Sequence, residues 1–161
     1  MDSETTIIGL VLIAIVVIPL YMLSRKRARK GQGMLKLMTQ TANEHNCKIT
    51  EYEQCGNYTV GMDKTNGYVF FVKDLNDNAD VQYMNLAQVK SCKMDNKSRI
   101  VTYNKQSSKI IERLCLNFLP KGKDKPAVVW EFYNAEENSQ LNGELQSAEK
   151  WQNLINSCLK D

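Results

Sequence analysis

The segment Glu144–Leu159, ELQSAEKWQNLINSCL, decides how the rest of the chain must fold. Asn142 suits the N-cap position of a helix, and Glu144 suits the positive end of its first turn. The apolar residues recur at the spacing of one helix face: Leu145, Ala148, Trp151, Ile155 and Cys158, widened by Leu154 and Leu159. The spacing therefore predicts an amphipathic helix whose apolar face must be buried by the preceding chain.

The segments before this helix have a period of two, which is typical of β-strands. The clearest is Gly67–Lys73, GYVFFVK, and the turn before it ends in Asn66-Gly67, a pair typical of hairpins. Turns or loops are also predicted at Asp95–Ser98 and Gln106–Lys109. In all, seven or eight short antiparallel strands are predicted: Lys48–Gln54, Tyr58–Met62, Gly67–Lys73, Val81–Leu86, Val89–Met94, Arg99–Asn104, Ile110–Leu119 and Ala127–Asn134.

A sheet of this size must curl to limit its open edges, and an amphipathic helix can close one end of the curled sheet. The strands from Lys48 to Asn134, followed by Glu149–Ile155 with its Trp151, resemble the pleckstrin-homology-like domain. Val89–Met94 is similar to the strand that opens the second sheet of that fold. The resemblance covers roughly residues 47–159. It implies an α+β, mainly β domain, an antiparallel barrel or sandwich of about seven strands closed by a C-terminal helix, with Trp151 as a buried structural residue.

The first thirty residues have a different character. Thr5–Ser24, TTIIGLVLIAIVVIPLYMLS, carries no charge, and its length at ~1.5 Å per residue matches a hydrocarbon core. The flank before it is acidic and the flank after it is basic, and basic flanks stay in the cytoplasm. The pattern predicts a single-pass transmembrane helix in the cell membrane, with the N-terminus outside and the C-terminal domain in the cytoplasm. The expected anchor residues are Ile7, Leu10, Ile13, Val17 and Leu20, and the expected lipid-facing basic residues are Arg25, Lys26, Arg27, Arg29 and Lys30.

Four parts follow from these patterns: a transmembrane anchor over 1–24, a basic juxtamembrane linker over 25–33, a connecting helix over 34–46 and the pleckstrin-homology-like domain over 47–161. The connecting helix has a thin apolar stripe, formed by Leu35, Met38, Ala42 and His45. The stripe leaves open whether this helix packs on the domain or on the membrane. The chain as a whole is also similar to small single-pass bacterial membrane proteins of uncharacterised function.

Charge excludes one class of partner. Residues 31–161 contain 16 basic and 16 acidic residues, and a nucleic-acid-binding domain needs a net basic surface. Pleckstrin-homology-like domains that bind phosphoinositides carry basic residues on the first hairpin, but Glu53–Tyr58 has none. Lys121, Lys123 and Lys125 are weak ligand candidates in a later loop, although such a run is more often a solvated turn.

The sequence shows no catalytic pattern. The five cysteines, an odd number without C-x-x-C spacing, agree with a reducing compartment and argue against zinc and redox sites. The single histidine, His45, has no nucleophile motif associated with it, and no phosphate-binding glycine loop occurs. We therefore expect no enzyme activity, no catalytic residue, no metal ligand and no cofactor.

These observations predict a membrane-tethered, non-catalytic adaptor that binds a protein or peptide through an exposed strand edge or an apolar groove. Its expected partners are the lipid bilayer and an unidentified protein or peptide. Two alternatives remain open. One is a peripheral reader of anionic lipid, which would use the run RKRARK and the lysines of Lys121–Lys125. The other is an accessory subunit of a larger membrane complex.

Overall fold

The computed structural model of the protein describes residues 3–75, 78–103, 106–122, 126–138 and 140–159, with side chains at all of these except 3–12, 23, 26–28, 103 and 106. The chain divides into two compact units, Met1–Gly33 and Met34–Asp161. The elements in chain order are α1 (Ser3–Glu44), β1 (Glu51–Cys55), β2 (Tyr58–Asp63), β3 (Tyr68–Leu75), β4 (Asn78–Asn85), a 3-10 helix (Leu86–Gln88), β5 (Val89–Tyr103), β6 (Gln106–Pro120), β7 (Val128–Asn134) and α2 (Glu144–Cys158).

The N-terminal segment differs from its prediction. Within the described part of the chain, none of the helices combines the length and the apolarity needed to cross a membrane. The predicted transmembrane helix over 5–24 is therefore wrong, and so is the single-pass cell-membrane localisation with an outer N-terminus and a cytoplasmic domain. Residues 31–33, predicted as part of a linker, are helical.

The second unit contains two antiparallel sheets, with strand orders β1-β2-β3-β4 and β5-β6-β7. Each strand pairs with its neighbour in sequence, because each sheet is a series of hairpins. Between β2 and β3 the Asp63 carboxylate accepts hydrogen bonds from the backbone N–H groups of Thr65 and Asn66, and Gly67 takes φ 65°, a value that favours glycine. The prediction of a mainly β chain is confirmed.

The hairpin of β5 and β6 is longer than predicted. The two strands pair from Val89 opposite Pro120 to Tyr103 opposite Gln106, through the segments predicted as a turn and a loop. One of the two irregular steps in this pairing is a bulge: Lys97 pairs with Arg113 and Ser98 with Ile111, so Glu112 has no residue opposite it. A bulge lets backbone pairing continue where the side-chain pattern alone indicates a break.

The core of the second unit lies between the two sheets and α2. Phe71 of β3 stacks on Trp130 of β7, with ring centroids 5.3 Å apart, and Phe118 of β6 lies 4.4 Å from the same tryptophan. From α2, Trp151 and Ile155 are fully buried in the same cluster. The helix therefore fills the space that the two sheets leave between them.

Two side chains of α2 also cover part of the edge of β5. Asn156 accepts a hydrogen bond from the backbone N–H of Cys92 and donates one to the carbonyl of Cys92, at 3.0 and 2.7 Å. Gln152 accepts a hydrogen bond from the backbone N–H of Met94. These contacts satisfy backbone groups that another strand would otherwise pair with.

The other face of the first sheet is covered by the last part of α1. Met38 and Ala42 are fully buried against Phe70 and Val72 of β3, together with Met34 and Cys47. Gly61 of β2 permits this approach, because a Cβ atom there would lie 2.6 Å from the Met38 sulfur. The helix over residues 34–44 thus packs on the domain, which settles the alternative that the sequence left open.

We predict that Trp151→Ala lowers the free energy of unfolding by about 3–5 kcal/mol, because it removes a fully buried indole from the core. That is a large part of the ~5–15 kcal/mol of a typical domain. Urea unfolding followed by circular dichroism measures the loss. Asn153→Ala, at an exposed position of the same helix, is the control and should change little. A loss below about 1 kcal/mol at Trp151 would contradict its role in the core.

Candidate functional site

The distal part of the long hairpin, residues 97–113, is called the arm here. β7 pairs with β6 only between Phe118 and Arg113, and the last backbone hydrogen bond on that side joins the Ala135 N–H to the Glu112 carbonyl at 2.8 Å. Residues 106–111 of β6 pair with β5 alone among the described strands. This stretch, called the open edge, is a row of backbone groups on the side where β7 has stopped.

A groove of about 610 Å³ lies where the arm meets the end of β7. Across the hairpin, Lys97 faces Arg113 and Arg99 faces Ile110. These four side chains share one face of the ribbon. Five of the eight residues that line the groove are charged, the full set being Lys97, Arg99, Ile110, Glu112, Arg113, Asn134, Ala135 and Glu136. The volume is within the range of ligand sites, but a charged lining suits a polar segment better than an apolar small molecule.

An ionic network holds the base of the arm. The Arg113 Nε lies 2.5 Å from one Glu131 oxygen, and the Lys73 Nζ lies 2.7 Å from the other. Lys73 also pairs with Glu137 at 3.0 Å, and its side chain is only 8% exposed. Because Lys73 belongs to β3 and Glu131 to β7, the network joins the two sheets, and it reaches the groove through Arg113.

The network shifts the pKa values of its members in the direction expected for paired charges. The hydrogen bond from Arg113 to Glu131 raises the pKa of the Arg113 guanidinium. Burial acts to raise the pKa of Glu131, but its bonds to Lys73 and Arg113 outweigh burial and lower it. Glu131 is therefore ionised at neutral pH, and Arg113 is held in place at the floor of the groove.

The other cations of the groove are more accessible. Arg99 lies 3.3 Å from Glu112, and its side chain is 65% exposed. Lys97 is exposed and makes no ion pair with another described residue, and the same is true of Lys109 near the tip. Ile100 and Ile110 add exposed apolar surface to the arm, at 75% and 41%. The arm therefore offers both cationic and aliphatic groups to a partner.

Charge is distributed unevenly over the second unit. The sequence of residues 97–113 contains five basic residues and one acidic residue, whereas the remainder of residues 34–161 contains 11 basic and 15 acidic. The arm thus carries a net charge of +4 and the remainder −4. Residues 34–161 are neutral overall because the positive charge of residues 97–113 cancels the negative charge of the remainder.

Of the three lysines predicted as ligand candidates, the structure describes only Lys121. It is exposed beyond the other end of β6, where its backbone N–H donates to the Gln88 carbonyl at 2.8 Å. Lys123 and Lys125 lie outside the described residues. The ring of His45 is tilted against the ring of Tyr83, with centroids 4.1 Å apart, as a packing residue would be.

The predicted anchor residues are described only in part. Ile13, Val17 and Leu20 have side chains 61%, 54% and 61% exposed, while the side chains of Ile7 and Leu10 lie outside the description. Of the basic run, Arg25, Arg29 and Lys30 are exposed, and Arg25 lies over the ring of Tyr21, 5.4 Å from its centroid. The side chains of Lys26 and Arg27 lie outside the description.

No known protein family, curated protein or solved structure matches the chain. The resemblance to pleckstrin-homology-like domains therefore stays a prediction. Within the described ranges, no three histidine, cysteine or carboxylate side chains are grouped so that they could hold a metal ion. Sequence reasoning missed the arm, although five basic residues within 17 positions were a signal that could have pointed to it.

We predict that Glu131→Gln lowers the free energy of unfolding by about 2–4 kcal/mol, because it leaves the buried Lys73 with only Glu137 as a partner. Glu136→Gln, at an exposed position near the same turn, should cost less than about 0.5 kcal/mol. Urea unfolding at neutral pH measures both changes.

The same variant should show a defined pH dependence. The folded-state pKa of Glu131 is lowered from the ordinary value of 4.5, so its stabilisation is fully present above pH 4.5 and is lost as the pH falls through the folded-state pKa. The difference between the native protein and Glu131→Gln should therefore shrink in acid. A difference that grows in acid would contradict the ionic role of Glu131.

Proposed function

We propose that the protein is a non-catalytic binding module that takes up an extended segment of another protein along the open edge, residues 106–111. The observation that supports this proposal is the end of β7 at Asn134, beyond which residues 106–111 of β6 have a described strand on one side only, beside a groove of about 610 Å³. In strand addition, the backbone hydrogen bonds supply affinity and the side-chain sites beside the edge supply selectivity.

The size and direction of the open edge fit a short peptide. Its six residues extend about 20 Å at ~3.3 Å per residue. A peptide that runs antiparallel to β6 would continue the line of β7, with its N-terminal end beside Ala135. The groove would then receive the side chains that project on the same face as Arg99 and Ile110.

The β6 edge is a better candidate than the β5 edge. Asn156 and Gln152 already occupy the backbone groups of Cys92 and Met94 on β5. A second copy of the arm is a poor occupant, because two ribbons of charge +4 repel each other, and lysines on edge strands normally oppose such pairing. The occupant that we propose is therefore a different polypeptide.

No observation favours the two alternatives over this proposal. The lipid-reader hypothesis uses the run RKRARK together with Lys121, Lys123 and Lys125, and no described contact joins these two groups. The accessory-subunit hypothesis depends on the apolar anchor, and none of the described helices is long and apolar enough to cross a membrane.

We predict that shortening the arm abolishes binding and leaves the fold intact. In this variant an Asn-Gly turn replaces residues 100–109, which joins the paired residues Arg99 and Ile110 through a tight hairpin. Peptides are selected from a displayed random library on the full chain, and their affinity for both proteins is measured by fluorescence anisotropy. Selected peptides should bind the variant at least ~10-fold more weakly, a difference of about 1.4 kcal/mol.

The melting temperature of the variant is the control. It should change little, because the described residues that are removed make no contact with the core and most are exposed. Selected peptides that bind both proteins equally well would contradict the proposed site, and a selection that enriches no peptide would contradict the proposed function.

A further inference from the structure

We propose that the segment bound at the arm is acidic: an extended peptide whose carboxylates project over the groove towards Lys97 and Arg99. This inference rests on the proposed function and names the chemistry of its ligand. It is carried by the four cations among the described residues of the arm, Lys97, Arg99, Lys109 and Arg113, together with the position of Lys97 and Arg99 in the groove where the open edge begins.

The available cations lie on the face that an added strand would use. Lys97, Arg99 and Arg113 share one face of the ribbon with Ile110. A strand added beside β6 lies ~4.8 Å from it and places every second side chain on that same face. Lys97 and Arg99 belong to β5, one strand further away, so their long side chains must reach across β6 towards the ligand. A carboxylate at alternate ligand positions would meet them.

The three cations differ in what they already bind. Arg113 is committed to Glu131, which is only 16% exposed and also binds Lys73. Arg99 forms an ion pair with Glu112 at the surface, and this pair is weak because water screens it. Lys97 makes no ion pair with another described residue. Lys97 and Arg99 are thus the residues that gain most from a ligand carboxylate.

The face of the ribbon opposite Lys97 and Arg99 indicates which ligand side chains would alternate with the carboxylates. There Ile100 faces Lys109 across the hairpin, and Ile111 faces Ser98. Ile111 packs partly against the core of the domain and lies next to the added strand, so its remaining exposed surface can contact an aliphatic ligand side chain. The ligand pattern is therefore acidic residues alternating with aliphatic ones.

A peptide fits these groups better than a nucleic acid or an anionic membrane does. The backbone N–H and C=O groups of the open edge match another peptide backbone, and neither a phosphate chain nor a lipid headgroup offers that match.

The test uses the full chain and a labelled eight-residue peptide of alternating glutamate and valine. One control peptide carries lysine in place of glutamate. A second control is the acidic peptide with alternate backbone nitrogens methylated, which blocks strand pairing and keeps the charges. Anisotropy titrations should show the acidic peptide binding at least tenfold more tightly than either control, with an affinity that falls as salt is raised from 50 to 300 mM, since salt screens exposed charges.

Matched variants then locate the contact. Lys97→Glu and Arg99→Glu should each weaken the acidic peptide at least fivefold and reduce its salt dependence. Lys93→Glu is the control, because Lys93 is exposed on the same strand and lies outside the groove. It should leave the affinity unchanged within twofold. Melting curves of the three variants verify that the fold is retained.

The outcomes separate the two proposals. Two outcomes would overturn the acidic ligand and leave the proposed function standing. One is a preference for the lysine peptide. The other is that Lys97→Glu and Arg99→Glu have no effect on binding while the shortened arm abolishes it. Equal binding of the methylated acidic peptide would overturn strand addition and the proposed function with it. Tighter binding of single-stranded oligothymidine or phosphatidylserine vesicles, lost in the shortened-arm variant, would assign the arm to phosphate-bearing partners instead.

Discussion

The contact of Phe71 with Trp130 and Phe132 is the interaction on which the rest of the second unit depends. Phe71 belongs to the first sheet, and the other two rings belong to β7 of the second sheet, with centroids 5.3 and 5.2 Å away. Large aromatic side chains contribute most of the buried area in such cores, and stacked geometry adds to it. The contact fixes β7 against the first sheet, and the position of β7 determines where β6 loses its partner.

The open edge is thus a consequence of the core. The ionic network of Lys73, Glu131 and Arg113 lies at the same end of β7 and holds the base of the arm to both sheets. β6 continues past this point because β5 pairs with it over its full length. The described residues of the arm are therefore already in strand conformation without a ligand, which lowers the entropy cost of binding.

Local patterns in the sequence were enough to predict the elements that bury apolar side chains. The spacing of Ala148, Trp151 and Ile155 predicted α2, and the period of two predicted most strands, because burial on one face leaves that pattern directly in the sequence. The long hairpin could not be predicted in this way. The polar residues of 95–98 have turn composition, and only their pairing with β6, through the bulge at Glu112, keeps them in a strand.

The open edge of the candidate site could not be predicted from periodicity for a related reason. This edge exists because β6 continues past the end of β7. The periodicity of a strand's sequence does not show where its neighbouring strand ends. Counting charges over the whole domain also hid the contrast between residues 97–113 and the remainder. At the N-terminus, length and flanking charge favoured a transmembrane span, and the described helix does not support one.

The position of α2 in the chain has a consequence for folding during synthesis. Trp151 completes the core, and Asn156 covers the edge of β5, yet both follow β1–β7 in chain order. At ~5–20 residues per second, a ribosome needs roughly one to five seconds to extend the chain from the end of β7 to the end of α2. During that interval the nascent strands have an uncovered β5 edge and an unfilled core, so chaperone protection matters most in the seconds before the last helix emerges.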